Sequence, residues 1–88
     1  MNKKVYIANL PLQASESELK VLFSRAGDVM SVRMMTDMQT GRPRGIAFVE
    51  MSTQWEARRA TSMLNGVDFM GNSLVVKEAT IRRGFRGR

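Results

Sequence analysis

Two short segments of this chain open in the same way. Ser15-Glu16-Ser17-Glu18 and Thr53-Gln54-Trp55-Glu56 each place a hydroxyl residue three positions before a glutamate. That spacing is a capping box: the hydroxyl accepts from the glutamate N–H, and the carboxylate accepts from the cap's own N–H. The acids also suit the positive end of a helix dipole. Apolar residues follow each box at helical spacing: Leu19, Leu22, Phe23 and Ala26 after the first, Ala57, Ala60 and Leu64 after the second. Each series covers one face of a helix. Gly27 and Asn65-Gly66 are placed to end the two helices.

Four short apolar runs surround these helices. Val5–Leu10 is stopped by Pro11; Val29–Met35, Ile46–Met51 and Leu74–Lys77 follow. Their length and their Val, Ile and aromatic content read as strands. A polar loop from Asp37 to Pro43, with Gly41 inside it, separates the second run from the third. The order is strand, helix, strand, strand, helix, strand, the split βαβ pattern. Right-handed crossovers then put both helices on one face of the sheet. The expected fold is α+β: a ferredoxin-like βαββαβ sandwich with a four-stranded antiparallel sheet and two helices on one face. The other sheet face stays open to solvent.

The 88 residues allow one domain. Residues 1–80 are expected to fold, and 81–88 to form a flexible Arg/Gly-rich tail, since Arg82–Arg88 contains only Arg, Gly and Phe. The chain has no Cys and no His. That excludes a disulfide framework, a Cys- or His-ligated metal, a thiol nucleophile and a Ser-His-Asp triad. No metal or cofactor is expected. The N-terminal apolar run is too short to span a membrane and lacks a cleavage signal. The expectation is a cytoplasmic monomer with no membrane partner. The net charge of +6 suits an acidic partner, nucleic acid before anionic membrane.

Alternation along the strands decides what the open face carries. If Val5 and Ile7 point toward the helices, Tyr6 and Ala8 point out. If Ala47, Val49 and Met51 point in, Ile46, Phe48 and Glu50 point out. On the second strand, Val32 and Met34 share one face, and Ser31, Arg33 and Met35 the other. Val75 and Lys77 point outward on the last strand. Exposed flat rings on neighbouring strands suit stacking against unpaired bases.

Those residues carry a resemblance. Arg44-Gly45-Ile46-Ala47-Phe48-Val49-Glu50-Met51 is similar to the octamer of the RNA recognition motif at six of its eight positions, counting the free one. Val5-Tyr6-Ile7-Ala8-Asn9-Leu10 resembles the family's paired hexamer. Thr40-Gly41-Arg42, Leu64-Asn65-Gly66 and the later Gly71, Leu74 and Val76 fit the same pattern, which covers about residues 3–80. The short chain most resembles the single-motif RNA-binding proteins of bacteria. The resemblance implies that Tyr6 and Phe48 stack bases and that Arg44 contacts a phosphate. Two positions depart from it. Ile46 stands where a third aromatic is usual, and Met51 replaces a core aromatic. Ile46 can pack on a base or ribose but cannot stack as a ring does. Met51 should fill the core adaptably.

Other side chains have two readings. Arg33, Arg42 and Lys77 are either RNA contacts or solvated charges. Asn9 is expected to stabilise the turn after the first strand, and Glu50 to be a peripheral solvated acid. Met34, Met51 and Met63 are assigned to the core, and Met30, Met35, Met38 and Met70 nearer the surface. Trp55 is read as packing, away from the RNA face. Arg82, Arg83 and Arg86 in the tail are expected to add RNA affinity with little sequence preference. Residues 82–88 hold four arginines and no acid. The remaining ten basic and eight acidic residues leave residues 1–81 at +2.

The expected function is binding of single-stranded RNA. Single-stranded DNA binding and a protein-interaction role on the same fold are alternatives. Enzymes also use this fold, but no paired carboxylates, phosphate-cradling loop or nucleophile–base pair emerges from the sequence.

Overall fold

The computed structural model describes residues 3–79. In chain order the elements are β1 (Lys4–Ala8), α1 (Glu16–Phe23), β2 (Val29–Thr36), β3 (Pro43–Met51), α2 (Gln54–Leu64), β4 (Asp68–Phe69), β5 (Asn72–Ser73) and β6 (Val75–Glu78). Four strands form one antiparallel sheet in the order β2-β3-β1-β6. The helices pack on one side, α1 against β2 and α2 against β6, β1 and β3.

Both capping boxes form as the sequence requires. The Glu18 N–H donates to Ser15 Oγ at 3.2 Å, and the Ser15 N–H to Glu18 Oε1 at 2.8 Å. In the second, the Glu56 N–H donates to Thr53 Oγ1 and the Thr53 N–H to Glu56 Oε1, each at 3.1 Å. Helix α1 stops earlier than Gly27. Ser24 caps it, and Arg25 and Ala26 continue as a turn held by bonds to Leu22 and Phe23. Ala26 is buried all the same. Gly27 instead makes room for α2, because a Cβ there would overlap the Glu56 side chain. Glu56 also accepts from the Asp28 N–H and the Ser52 hydroxyl. One carboxylate thus ties the start of α2 to the turn that feeds β2.

The core lies between sheet and helices. Val5, Ile7, Ala47, Val49, Met51, Leu74 and Val76 from the sheet side meet Leu19, Leu22, Phe23, Ala57, Ala60 and Leu64 from the helices. Val32 and Met34 pack at its edge. The strand alternation read from sequence therefore stands, as does Met51 in the core. Met63 does not join it: at 45% exposure it points away from the sheet, because the buried stripe of α2 runs through Ala57, Ala60 and Leu64. Trp55 also departs from the sequence reading. It is away from the sheet face but is 63% exposed rather than packed.

Strand limits shift in all four strands, in β2 only by the addition of Thr36. β1 ends at Ala8 because Asn9 takes φ 64°. β3 starts at Pro43, ahead of Ile46, because the β2–β3 ladder resumes at Thr36–Pro43 beyond an irregularity. β6 begins at Val75, with Leu74 buried just before it. Residues 68–73 add a small β4–β5 hairpin that the strand pattern of the sequence does not announce.

Candidate nucleic-acid interface

The open sheet face is built by register. Tyr6 on β1 lies opposite Phe48 on β3 and, on its other side, opposite Lys77 on β6. Phe48 lies in turn opposite Arg33 on β2. One row therefore crosses all four strands: Arg33, Phe48, Tyr6, Lys77. Three strand spacings separate its ends, about 14 Å. Two aromatic rings sit at its centre, with a cation on each flank. The rings are half-buried, with centroids 5.6 Å apart and planes inclined by 57°. That is a favourable tilted pair.

The neighbouring positions differ in chemistry. On one side of the row, Glu50 lies opposite Lys4 and Ser31. With Arg33, Met35 and Phe48 these residues line a groove on the face. On the other side, Ala8 lies opposite Val75, and the half-buried Ile46 precedes Phe48 by two residues on β3. One flank is polar and the other apolar.

Two irregularities in the β2–β3 pair flank the stretch in which Arg33 meets Phe48. β2 carries an extra residue between Val29 and Ser31, and β3 carries extra residues between Pro43 and Ala47. The second involves Gly45, at φ 77°, a region that costs a side-chain-bearing residue. Its carbonyl accepts from the Leu10 N–H at 3.0 Å, and a Cβ on it would lie 3.3 Å from the Leu10 carbonyl. Gly45 thus joins the end of the hexamer to the start of the octamer. Asn9 makes the next link. Its Nδ2 donates to the Ser73 carbonyl at 2.8 Å, and its own carbonyl accepts from Asn72 Nδ2 at 3.0 Å. Its turn role is as the sequence suggests; its partners lie in the β4–β5 hairpin, which the sequence pattern does not announce.

Tyr6, Phe48, Ile46, Arg33 and Lys77 are thus brought to one face. Arg42 is not brought to the row. It is exposed in the β2–β3 loop, where its carbonyl accepts from the Asp37 N–H at 2.8 Å. Arg44 lies in β3, but its side chain falls outside the described residues, as do Arg82, Arg83 and Arg86. Among the described residues no group of His, Cys, Asp and Glu could hold a metal ion. Nor is any helix among them long and apolar enough to cross a membrane.

Comparison with known proteins agrees with this geometry. The family model described as RNA recognition motif matches residues 5–75. A Nostoc sp. protein named for RNA binding, RbpD, is 40% identical over 82 residues, covering 93% of this chain and 87% of its own. The crystal structure of RNA Binding Protein PG1 superposes with TM-score 0.84 at 42% identity, covering 92% of this chain and 98% of that one. The Rna15 RRM with bound RNA (GU) superposes with TM-score 0.81 at 29% identity, covering 94% and 88%. Several mammalian relatives match at 40% identity over 77 residues, and the chain spans only 12–14% of their length.

Proposed function

The chain belongs to the RNA recognition motif family, and from that premise we propose that it binds single-stranded RNA by stacking bases on Tyr6 and Phe48. The observation that carries this reading is the row Arg33–Phe48–Tyr6–Lys77. Its centre offers two π-faces, and its ends offer positive charge to phosphates. The 57° inclination between the rings matters chemically. No single base can lie flush on both rings, so each ring takes its own base, and two neighbouring bases must part from one another. A single strand can do this readily, whereas a duplex would have to give up pairing and stacking.

Arg44 and the tail arginines Arg82, Arg83 and Arg86 act on the backbone in this reading, with no part in base choice. The RNA bound to the related Rna15 domain and the RNA-binding names of other relatives support RNA as the ligand class. They support a binding domain rather than an enzyme.

The test is direct. Ligands are selected from random RNA and DNA pools, and affinity is measured for the native chain, Tyr6→Ala and Phe48→Ala. Each substitution is expected to weaken binding by about 1–3 kcal/mol, the contribution of one base–aromatic stack. Unchanged affinity in both variants would overturn the stacking model, and preferential recovery of DNA would overturn the choice of RNA.

A further inference from the structure

Trp55 is the only tryptophan in the chain, and the structure leaves it 63% exposed. The helix does not need it for anchorage, because α2 is held by Ala57, Ala60 and Leu64. Its neighbour one turn on, Arg58, lies over the indole ring, 5.6 Å from its centroid. The same Arg58 reaches the Glu78 carboxylate at 4.0 Å. Glu78 directly follows Lys77 in β6, and Lys77 is the cation that ends the row on the sheet face. Since β6 is an edge strand, only that strand separates the end of the row from the Trp55–Arg58 pair.

The charge around the pair suits an anion. Arg58 and Arg59 are both exposed on α2, Arg59 with one guanidinium nitrogen donating to the Ala26 carbonyl at 3.5 Å. The acid of the same helix, Glu56, is turned toward Ser52 and Asp28, and the Arg58–Glu78 pair is long and solvent-exposed, a weak contact that a phosphate can displace. An aromatic plane beside guanidinium groups repeats the chemistry of the sheet face.

We propose that Trp55 and Arg58 form a second RNA contact, reached by the strand after it passes Lys77 and rounds the β6 edge. A base beyond those on the sheet stacks on the indole, and Arg58 meets the adjoining phosphate. This inference rests on the sheet-face reading and extends it to longer RNA.

Trp55 supplies its own reporter. Its emission is followed while the full chain is titrated with a tetranucleotide and with a dodecanucleotide, each drawn from the selected sequence. Affinities are measured in parallel for Trp55→Ala and Trp55→Phe. The dodecanucleotide should quench Trp55 and the tetranucleotide should not. Trp55→Ala should weaken dodecanucleotide binding about tenfold, within the range of one base–aromatic stack, and leave tetranucleotide affinity unchanged. Trp55→Phe should lose less, because it keeps a ring. Tight dodecanucleotide binding with unmoved emission and an unaffected Trp55→Ala would overturn the second contact and leave the sheet reading intact. Quenching by an acidic polyglutamate peptide but not by the dodecanucleotide would overturn it in favour of a protein-docking surface. Failure of both oligonucleotides to bind would overturn the sheet reading, and this inference with it.

Discussion

Tyr6 and Phe48 face one another across the β1–β3 pair, their ring centroids 5.6 Å apart and their planes inclined by 57°. Their backbones are fixed by an antiparallel ladder. Their inward-pointing neighbours Val5, Ile7, Ala47 and Val49 are fully buried. The rings are therefore held by the core beneath them before any ligand arrives. That preorganisation lowers the ordering cost of binding.

Ile46 is the departure that most affects strength. It lies on the open face, half-buried, two residues before Phe48. Ile46→Phe should tighten RNA binding by about 1 kcal/mol, the low end of a stacking contribution. Titration of the selected RNA against both chains measures the gain. The fold should tolerate the change, since the side chain lies outside the core.

Gly45 bears on stability. Gly45→Ala forces a Cβ into φ 77° and to 3.3 Å from the Leu10 carbonyl. The expected cost is about 1–2 kcal/mol. For a domain of this size that lowers Tm by roughly 5–15 °C, read by thermal melting. The β3 irregularity also sets where Phe48 falls against Arg33, so RNA affinity should fall as well.

Glu56 makes stability depend on acid pH. Its bond from the Ser52 hydroxyl, then that from the Asp28 N–H, hold its carboxyl below its ordinary range. A carboxyl lowered by folding stabilises the native state above its unfolded pKa, about 4.3. That stabilisation is lost as pH falls through the folded value. Melts between pH 6 and pH 3 should show Tm falling less steeply in Glu56→Gln than in the native chain. Glu56→Gln should also be the less stable of the two at neutral pH.

The tail arginines should separate charge from choice. Removing residues 82–88 deletes four arginines. The slope of log affinity against log salt should decrease by at most about three, at 0.7 per phosphate contact on a single strand. Base preference should persist. Loss of preference with an unchanged slope would contradict this division of labour.

The sequence made some of this legible and hid the rest for physical reasons. Side chains alternate along a strand, so burying Val5, Ile7, Ala47 and Val49 exposed Tyr6 and Phe48 without knowledge of register. Local rules also carried both helix starts, because a capping box closes within four residues. The alignment of Arg33 and Lys77 with the rings was not legible. For Arg33 it depends on irregularities in the β2–β3 ladder, which no periodicity announces, and for Lys77 on the β1–β6 register, which joins the two ends of the chain. The β4–β5 hairpin escaped because two residues per strand are too few to show alternation. Its turn uses Met70 at φ 53°, where a glycine or asparagine would have been the expected signal. Trp55 and Met63 depart from the sequence reading for a third reason. An apolar residue on a helix is ordinarily a core residue, but small side chains at Ala57 and Ala60 already seat α2 closely. The same small residues leave the larger ones on its outer face.

Stacking on the open sheet face can be observed by NMR titration of the full chain with a short selected RNA. The ring protons of Tyr6 and Phe48 should move upfield and show intermolecular NOEs to base protons. Amide shifts should concentrate on β1 and β3. Ring protons that stay in place, with shifts confined to α1 and α2 and no NOE between either ring and a base, would contradict it.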